Sequence, residues 1–491
     1  MAVKVLISAS LRSFTDRVPE FSAEGSTIKE VFDALADQYP DVLKGVFDED
    51  GEIRGYVNVY INDKNIYSLK GLKSEVKDGD FVLLIPAIAG GSQETDKRES
   101  VISKERMKEV ALDNKQIERY SNHLQLREIN VKGQKRIMAA KVLVAGLGAL
   151  GGVVVNRLAA AGVGTIGIVD FDEVAVSNLQ SQTTYGTRDV GRPKAAATKD
   201  SVKKLNPLVN TVVYQEKLTS ENVEDIIADY DVVVDATDNF VSRYLISDAC
   251  VLAGKPEVFG AMYQFEGFVT ILGESTGPCY RCLYPSPPPV GLVPTCSEAG
   301  VASPLPGVVG GLMATEVLKL LTGTGTTLSG KAISIDTWNL RTNYVETVKD
   351  AGCPVCGKHR TLHHIEEIDY EDFCGLKEEP DEEPIEGIEG DELAARIASG
   401  EPITIVDVRE PHERSILRFP GAITIPIGQL ARRQKELDPG IDTIFVCREG
   451  KRSILAIRTL REAGYEGPMY NLKGGLDTTS QIIFPNEGAW L

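Results

Sequence analysis

The feature that most constrains the fold of this chain is a glycine-rich turn between a buried strand and a helix. The strand Lys141–Ala145 is followed by glycines in the spacing G-x-G-x-x-G, at Gly146, Gly148 and Gly151. A second strand-like run, Ile166–Val169, ends at Asp170. In this context the glycines let the backbone approach a phosphate, and the acidic residue binds a ribose hydroxyl. The pattern predicts a nucleotide-binding α/β domain; a turn without a ligand and an NAD site are the alternatives.

Around this turn the sequence divides into three folded parts and two polar linkers. A chain of 491 residues exceeds what one hydrophobic core usually supports, so about three domains are expected. The predicted domains are residues 1–91, 104–365 and 391–491, and the predicted linkers are residues 92–103 and 366–390. The second linker is acidic and contains two prolines, which favours an exposed segment.

The first part has the pattern of a small α+β domain. Strand-like runs occupy Val3–Ser8, Tyr56–Ile61 and Phe81–Ile85, and Thr27–Gln38 has the apolar spacing of a helix. Strands, one helix and further strands within a domain of this size favour the β-grasp, or ubiquitin-like, fold.

Net charge and hydrophobic runs exclude several functions. The formal charge of -18, from 53 basic and 71 acidic residues, argues against binding to nucleic acid or an anionic membrane. The longest apolar stretch, Val142–Val155, contains four glycines and is too short to span a bilayer. The N-terminus lacks the pattern of a secretion signal, and the eight cysteines do not form a disulfide framework. A cytoplasmic protein is therefore expected.

Three motifs that follow the glycine turn favour ATP over NAD as the ligand. They are Asp170-Phe-Asp-Glu-Val-Ala-Val-Ser-Asn178-Leu-Gln180, Val190-Gly-Arg-Pro-Lys194 and Asp235-Ala-Thr-Asp238-Asn239. Together they resemble the MoeB/ThiF family, relatives of the ubiquitin-activating enzymes, over nearly the whole second part. The resemblance implies a Rossmann-like domain that adenylates a carboxylate and forms homodimers.

The same resemblance implies a role for individual residues. Asp170 would bind the ribose of ATP, and Asn178 and Lys194 would lie on the triphosphate. Asp238 would hold Mg²⁺, which offsets charge as the carboxylate attacks the α-phosphate. Adenylation makes chemical sense because a carboxylate is a poor electrophile and AMP is a good leaving group.

Three positions depart from the family pattern. Ala149 stands where the family usually has a third glycine, and Asn122 and Ser181 stand where it usually has arginines that contact phosphate. Loss of preorganised positive charge slows such a reaction by orders of magnitude. Arg188 or Arg192 is the nearby cation that would compensate.

The first part ends in Gly90-Gly91, directly before the polar linker. Residues without side chains let a tail enter a narrow activating site. With Tyr56-Val-Asn-Val-Tyr-Ile-Asn62-Asp63 and the ending Pro86-Ala-Ile-Ala-Gly-Gly91, this part resembles the ThiS/MoaD group of sulfur carriers and, within it, CysO. The resemblance implies cysteine as the destination of the sulfur, with a molybdopterin or thiamine precursor as the runner-up. Because Gly91 is followed by Ser92, a protease, for example of the JAMM type, would have to release its carboxylate.

Four of the eight cysteines form two C-x-x-C pairs, Cys279 with Cys282 and Cys353 with Cys356. Each pair places two thiolates on one turn, and two pairs complete a tetrahedral Zn²⁺ site that has no position for water. The MoeB/ThiF family carries the same pairs, so a structural zinc site is expected. A redox-active C-x-x-C motif is the alternative, which the presence of two matched pairs disfavours.

Cys296 lies outside that set, in Pro294-Thr-Cys-Ser-Glu298. In MoeB/ThiF relatives this position carries a cysteine that forms a thioester or acyl-disulfide link with the carrier, since a thiolate can displace AMP. An unreactive loop cysteine is an equal alternative.

The third part alternates short strands with helical segments, which predicts a small α/β domain with a parallel sheet. The predicted strands are Thr404–Val408 and Thr443–Cys447, and the predicted helices are Gln434–Leu437 and Ser453–Ala463.

The loop Cys447-Arg-Glu-Gly-Lys-Arg-Ser453 joins a strand to a helix in this part. With Asp407-Val-Arg-Glu-Pro-His-Glu413 upstream, it resembles the rhodanese family across the whole third part. Loop N–H groups, the helix N-terminus and the cations Arg448, Lys451 and Arg452 favour a thiolate or persulfide at Cys447. Cys447 and Arg452 are the predicted catalytic residues. A C-x5-R phosphatase is the rival, although only four residues separate this cysteine from its arginine.

Two functions of different classes remain open. In the first, the second part adenylates the freed Gly91 carboxylate, or that of a separate carrier. Cys447, loaded by a cysteine desulfurase or thiosulfate, attacks as a persulfide, and reduction, with Cys296 as a candidate, leaves a thiocarboxylate. In the second, the departures at Asn122, Ala149 and Ser181 abolish ATP chemistry, and the chain is a scaffold in which only the rhodanese part is active.

Overall fold

The computed structural model describes residues 2–7, 15, 18, 20–42, 46–48, 53–54, 57–62, 64–86, 99–289, 299–376, 384–414 and 417–484. The predicted site residues Gly90, Gly91 and Cys296 lie outside these ranges. The chain forms two compact units, one of Met1–Ile137 with Lys319–Thr326, and one of Met138–Leu318 with Thr327–Leu491.

The first unit contains a five-stranded sheet and the helix that packs on it. The strands are β1 (Ala2–Ile7), β2 (Glu20–Glu24), β3 (Val57–Ile61), β4 (Lys64–Asn65) and β5 (Phe81–Pro86), in the spatial order β2-β1-β5-β3-β4. Helix α1 (Ile28–Gln38) begins where the Thr27 side chain accepts a hydrogen bond from the backbone N–H of Glu30, and its apolar face is buried. Because β1 and β5 are parallel and the other pairs antiparallel, this is the predicted β-grasp fold.

Four further helices follow the five-stranded sheet in the chain, and the last of them extends past Ile137, where the first unit ends. They are α2 (Lys104–Glu109), α3 (Asn114–Arg119), α4 (Ser121–Gln125) and α5 (Asn130–Ala139). Asn122, one of the departures from the family pattern, lies on α4.

Eight strands form the main sheet of the second unit. They are β6 (Lys141–Ala145), β7 (Thr165–Val169), β8 (Asn210–Tyr214), β9 (Val232–Asp235), β10 (Glu257–Tyr263), β11 (Glu266–Leu272), β12 (Lys331–Asp336) and β13 (Arg341–Glu346). Their order is β13-β12-β11-β10-β9-β6-β7-β8. The five strands β8, β7, β6, β9 and β10 run parallel to one another. Beyond β10, the sheet is extended by β11, β12 and β13, which pair antiparallel.

The helices of this sheet connect its strands and cover its faces. They are α6 (Ala149–Ala161), α7 (Lys194–Leu205), α8 (Val223–Ala228), α9 (Phe240–Ala253), α10 (Tyr280–Leu283), α11 (Leu305–Thr322) and α12 (Tyr370–Phe373). The chain leaves β6 toward β7 on one side and later places β9 on the other side, so the switch point lies between β6 and β9. Ligands bind such sheets at the carboxyl ends of the strands beside this point.

Helix α11 is, among the described residues, the one helix with the length and composition of a membrane span. Its mean hydropathy is 1.3, and 61% of it is buried inside the structure. Burial of this extent is what a helix of a protein core shows.

The third domain is a parallel sheet in the order β14-β18-β17-β15-β16, as predicted. Its strands are β14 (Glu386–Ile388), β15 (Ile403–Asp407), β16 (Ile423–Thr424), β17 (Asp442–Val446) and β18 (Met469–Leu472). Its helices are α13 (Gly390–Ala398), α14 (Pro411–Arg414), α15 (Leu430–Arg433), α16 (Lys451–Glu462) and α17 (Gly475–Ile483).

Both ends of the segment assigned to the second linker are folded. Tyr370 and Cys374 are buried in the core beneath the main sheet, and β14 pairs with β18 of the third domain. The prediction of an exposed linker rested on the acidic composition of residues 366–390. The few buried residues in this segment give no periodic apolar pattern because charged residues surround them.

Candidate active sites

A cavity of about 460 Å³ lies at the carboxyl ends of β6, β7 and β9. Its volume falls in the usual range for ligand sites. The residues predicted to bind ATP that line it are Gly146, Gly148, Asp170, Asn178, Lys194 and Asp238. The structure therefore brings motifs from separate parts of the sequence to the edge where a doubly wound sheet binds its ligands.

The glycine turn forms the floor of this cavity through close backbone contact. Gly146 has φ +83°, and a Cβ there would lie 2.8 Å from the carbonyl oxygen of Ala236. A Cβ on Gly151 would lie 1.8 Å from the carbonyl oxygen of Gly146. Gly151 is therefore required for packing helix α6 against the turn, whereas Gly148 lines the cavity itself.

Asp170 directly follows β7, and its carboxylate accepts hydrogen bonds from two backbone N–H groups. One carboxylate oxygen accepts the N–H of Leu147 at 2.7 Å, and the other accepts the N–H of Asp172 at 2.8 Å. Burial raises the pKa of Asp170, while the charge of Lys194 and these two hydrogen bonds oppose the rise. The bonds fix the carboxylate beside the glycine turn, where a ribose hydroxyl would meet it.

Lys194 is a buried cation at the start of α7. Its Nζ lies 2.9 Å from a carboxylate oxygen of Asp172, which is half exposed. Asp238 follows β9 as an exposed residue on the cavity wall. The cavity thus offers a buried ammonium and an accessible carboxylate, the groups that a triphosphate and a divalent cation would need.

Two of the three departures from the family pattern line the same cavity. Ala149 and Ser181 both line the cavity, and each is less than one-tenth exposed. Compensation by Arg188 or Arg192 stays a prediction: the described lining includes neither, and the Arg192 guanidinium lies 2.6 Å from carboxylate oxygens of both Asp189 and Asp200.

Other cations line the cavity that the sequence motifs did not predict to lie there. They are Lys217, Arg243 and Arg448. Arg243 lies one turn into helix α9, directly after the Asp238 motif, and donates to the carbonyl oxygen of Thr237 at 3.1 Å. Its position just after a motif at a strand end was the available signal. Nothing local in the sequence connects Arg448, of the third domain, with this cavity.

Cys447 lies in the loop between β17 and α16 and is almost fully buried. Its Sγ accepts the backbone N–H of Gly450 at 3.1 Å and lies 3.3 Å from the hydroxyl of Ser453. The same hydroxyl lies 2.6 Å from the Asn471 side-chain oxygen and 2.9 Å from the Gly450 carbonyl oxygen, so its single proton has several possible acceptors. The loop therefore directs the Gly450 N–H at the sulfur, as predicted, and Ser453 lies beside the sulfur in contact with Asn471.

Arg452 has a different environment from the one its catalytic assignment implies. Both of its terminal nitrogens donate to the Glu413 carboxylate at 2.7 Å, and the pair is buried. Although burial opposes it, the Arg452 guanidinium lowers the pKa of Glu413. The ion pair therefore connects α14 to the loop that carries Cys447. The catalytic role of Arg452 stays a prediction.

The four cysteines of the C-x-x-C pairs form one cluster with all sulfurs within 4.8 Å of one another. Sulfur–sulfur distances are 3.7 Å for Cys279–Cys282, 3.5 Å for Cys279–Cys353 and 3.3 Å for Cys282–Cys356. These are too long for disulfides and close to the roughly 3.8 Å edge of a tetrahedron around a metal bound at about 2.3 Å. Hydrogen bonds among the thiols lower the pKa of Cys282 to about 6, with Cys279 as the main partner, and raise the pKa of Cys279.

A buried ion pair holds the first of these cysteine pairs in place. Arg281, between Cys279 and Cys282, donates to both carboxylate oxygens of Asp248 on α9. Tyr370 also donates to Asp248, at 2.9 Å. Because the pair is almost fully buried and saturated with hydrogen bonds, it ties the cysteine turn to the core.

Comparison with known families assigns each folded part. The ThiS family model matches residues 5–91, the ThiF family model matches residues 120–355, and the rhodanese-like domain model matches residues 389–481. The three predicted fold types are confirmed, and the phosphatase alternative for the cysteine loop is not supported.

Several curated proteins are similar over most of the chain. The probable adenylyltransferase/sulfurtransferase MoeZ of Mycobacterium tuberculosis is 39% identical over 384 residues, which are 77% of this chain and 96% of MoeZ. The adenylyltransferase and sulfurtransferase MOCS3 of Aedes aegypti is 36% identical over 390 residues, covering 76% and 89%. The sulfur carrier protein adenylyltransferase of Thermus thermophilus is 48% identical over 267 residues, covering 53% and 98%. Among solved structures, E. coli MccB shares 21% identity over 54% of this chain and 77% of MccB, with a TM-score of 0.45.

Domain content, nucleotide cavity and cysteine loop define the class: a ThiF-type adenylating enzyme joined to a rhodanese-type sulfurtransferase and a ThiS-like domain. The chain belongs to the adenylyltransferase/sulfurtransferase family that includes MoeZ and MOCS3. The scaffold alternative is not favoured, because relatives that match over three quarters of the chain are named for both activities.

Replacing Ser453 with Ala should slow sulfur transfer from thiosulfate to cyanide about ten- to a hundredfold. The change removes a hydroxyl that lies 3.3 Å from Cys447 Sγ and would turn its proton to the sulfur when this is a thiolate. A hydrogen bond to a charged group contributes about 1.5–3 kcal/mol. Steady-state kinetics with full-length protein measure the effect. Ser399→Ala, on an exposed hydroxyl of the same domain, is the control and should retain the wild-type rate. Equal rates in both variants would show that the Ser453 hydroxyl does not act on the sulfur.

Proposed function

We propose that this enzyme activates the C-terminal glycine of a ubiquitin-like sulfur carrier with ATP and converts it to a thiocarboxylate. The observation that carries the proposal is that one cavity is lined by the groups suited to ATP and by the residue next to the rhodanese cysteine. Adenylation and sulfur transfer then take place at neighbouring positions of one compact unit.

The first step joins the carrier carboxylate to AMP. A carboxylate oxygen attacks the α-phosphorus of ATP, and pyrophosphate leaves. Asp170 would hold the ribose, while Asn178 and Lys194 would contact the triphosphate. Mg²⁺ held by Asp238 would offset negative charge on the phosphates. The exposure of Asp238 and the burial of Lys194 support these two roles.

The second step moves sulfur to the activated carrier. The terminal sulfur of a Cys447 persulfide attacks the acyl carbon, and AMP leaves with the bonding electrons. The product is an acyl disulfide between the carrier and Cys447. A second thiol, for which Cys296 is the candidate, attacks the Cys447 sulfur, forms a disulfide with it and releases the carrier thiocarboxylate.

Partners follow from this chemistry. A cysteine desulfurase or thiosulfate would load Cys447, and the thiocarboxylate would supply sulfur for cysteine, with molybdopterin or thiamine as runner-up. We further propose a cytoplasmic homodimer that binds neither nucleic acid nor membrane, in keeping with the formal charge of -18.

Exchange of labelled pyrophosphate into ATP tests the adenylation step. With a separately produced carrier that ends at Gly91, the full chain should catalyse exchange, and Asp238→Asn should reduce it at least about a hundredfold through loss of metal binding. Glu221→Gln, an exposed carboxylate outside the cavity, is the matched control and should exchange normally. Absence of exchange by the wild-type chain, with thiosulfate:cyanide transfer intact, would sink the proposal in favour of the scaffold.

The cysteine cluster is proposed to hold one structural Zn²⁺ per chain. Elemental analysis of purified protein should find about one zinc, and Cys356→Ser should lose it because three ligands bind far more weakly than four. Cys374→Ser, which removes a buried thiol outside the cluster, should keep its zinc. Zinc retained by Cys356→Ser at the wild-type level would contradict the assignment.

The fused carrier is proposed to be released by cleavage after Gly91, since Ser92 blocks its carboxylate. Intact-mass measurement of protein from the native host should find a fragment ending at Gly91, and Gly91→Pro should prevent its formation. A host preparation that contains the full-length chain alone would show that the enzyme acts on a separate carrier.

A further inference from the structure

One wall of the nucleotide cavity comes from the rhodanese domain. Arg448 lines the same cavity as Asp170, Lys194 and Asp238, although more than two hundred residues separate it from them. It directly follows Cys447, so the loop that carries the sulfur also contributes a cation to the ATP site. Both parts belong to the same compact unit.

The backbone of Arg448 is held by helix α17. Its carbonyl oxygen accepts the N–H of Asp477 at 3.0 Å, and the preceding carbonyl of Cys447 accepts the N–H of Leu476 at 2.9 Å. A Cβ on Gly475 would lie 2.3 Å from the Arg448 carbonyl oxygen, so only glycine permits this close approach. The side chain therefore extends from a fixed point of the loop.

The charges around the cavity show why such a cation matters. Its acidic lining residues are Asp170, Asp172, Glu216 and Asp238, and its basic ones are Lys194, Lys217, Arg243 and Arg448. Lys194 is bonded to Asp172, and Lys217 is bonded to Glu371. A triphosphate adds several negative charges to a site in which Ser181 has replaced an expected arginine. A further guanidinium in the lining supplies part of that missing charge.

The present partner of Arg448 does not prevent it from binding phosphate. Its Nε lies 2.9 Å from a carboxylate oxygen of Asp477, and both side chains are about one-third exposed. Partly exposed ion pairs contribute little to stability, whereas guanidinium and phosphate form strong paired hydrogen bonds. A phosphate in the cavity can therefore compete for this side chain.

We propose that Arg448 is a phosphate-binding residue of the adenylation site, so that the sulfurtransferase loop completes the ATP pocket. The inference rests on the proposed adenylation function and deepens it. Arg448 would stabilise negative charge on the phosphates during adenylation and on the AMP that leaves when the persulfide attacks. One loop would then carry both the nucleophilic sulfur and a group that stabilises its leaving group.

Pyrophosphate exchange by the full-length chain, with a carrier ending at Gly91, tests this role. Arg448→Ala should raise the KM for ATP about tenfold or more, as loss of a charge-assisted hydrogen bond does, and Arg448→Lys should recover part of the loss because it keeps the charge. Arg432→Ala, which removes an exposed arginine from the same domain, is the matched control and should leave the KM unchanged.

The outcomes separate this inference from the function on which it rests. A wild-type chain that exchanges, together with an Arg448→Ala variant of equal KM, would overturn the inference and leave the proposed function intact. A wild-type chain without exchange would overturn the proposed function itself. A Lys variant as impaired as the Ala variant would show that the side chain acts through loop structure and not through charge, which also overturns the inference.

Discussion

Close backbone contact at the glycine turn is the constraint on which the nucleotide site depends. Gly146 lies against the carbonyl of Ala236 at the end of β9, and Gly151 lies against the carbonyl of Gly146 itself. A methyl group at either position would separate helix α6 from the sheet, because protein interiors leave no space for it. With both contacts made, the ends of β6, β7 and β9 converge, and the motifs after each strand meet around one cavity.

Buried charge organises the two sulfur sites in a similar way. Asp248 forms an ion pair with Arg281, which lies between Cys279 and Cys282, and Glu413 forms one with Arg452 of the loop that carries Cys447. A buried ion pair adds little net stability compared with apolar packing, but removing one partner leaves an unpaired charge and costs several kcal/mol. These pairs therefore fix the position of each loop. The groups proposed to act at these sites, the four thiols in one case and Cys447 in the other, lie next to these ion pairs.

Much of the architecture could be predicted because local patterns encode it. The run Lys141–Ala145 is a strand as expected, and the predicted helix Thr27–Gln38 begins one residue later because Thr27 is its cap. The segment 366–390 was harder, since isolated anchors such as Tyr370 give no periodic signal among acidic residues. Arg192 shows the same limit for the site. Its nearness in sequence to the ATP motifs suggested a contact with phosphate, but its guanidinium forms ion pairs with Asp189 and Asp200.

The sequence by itself determined the three fold types, the cysteine sets and the main ATP motifs, because each depends on spacing along a short stretch of chain. Only the tertiary structure decided which distant groups share a cavity. It placed Arg448 of the third domain in the cavity lined by Asp170 and Lys194, and it paired Arg452 with Glu413. The physical reason is that long-range contacts follow from how whole elements pack, and a side chain's partner depends on every element around it.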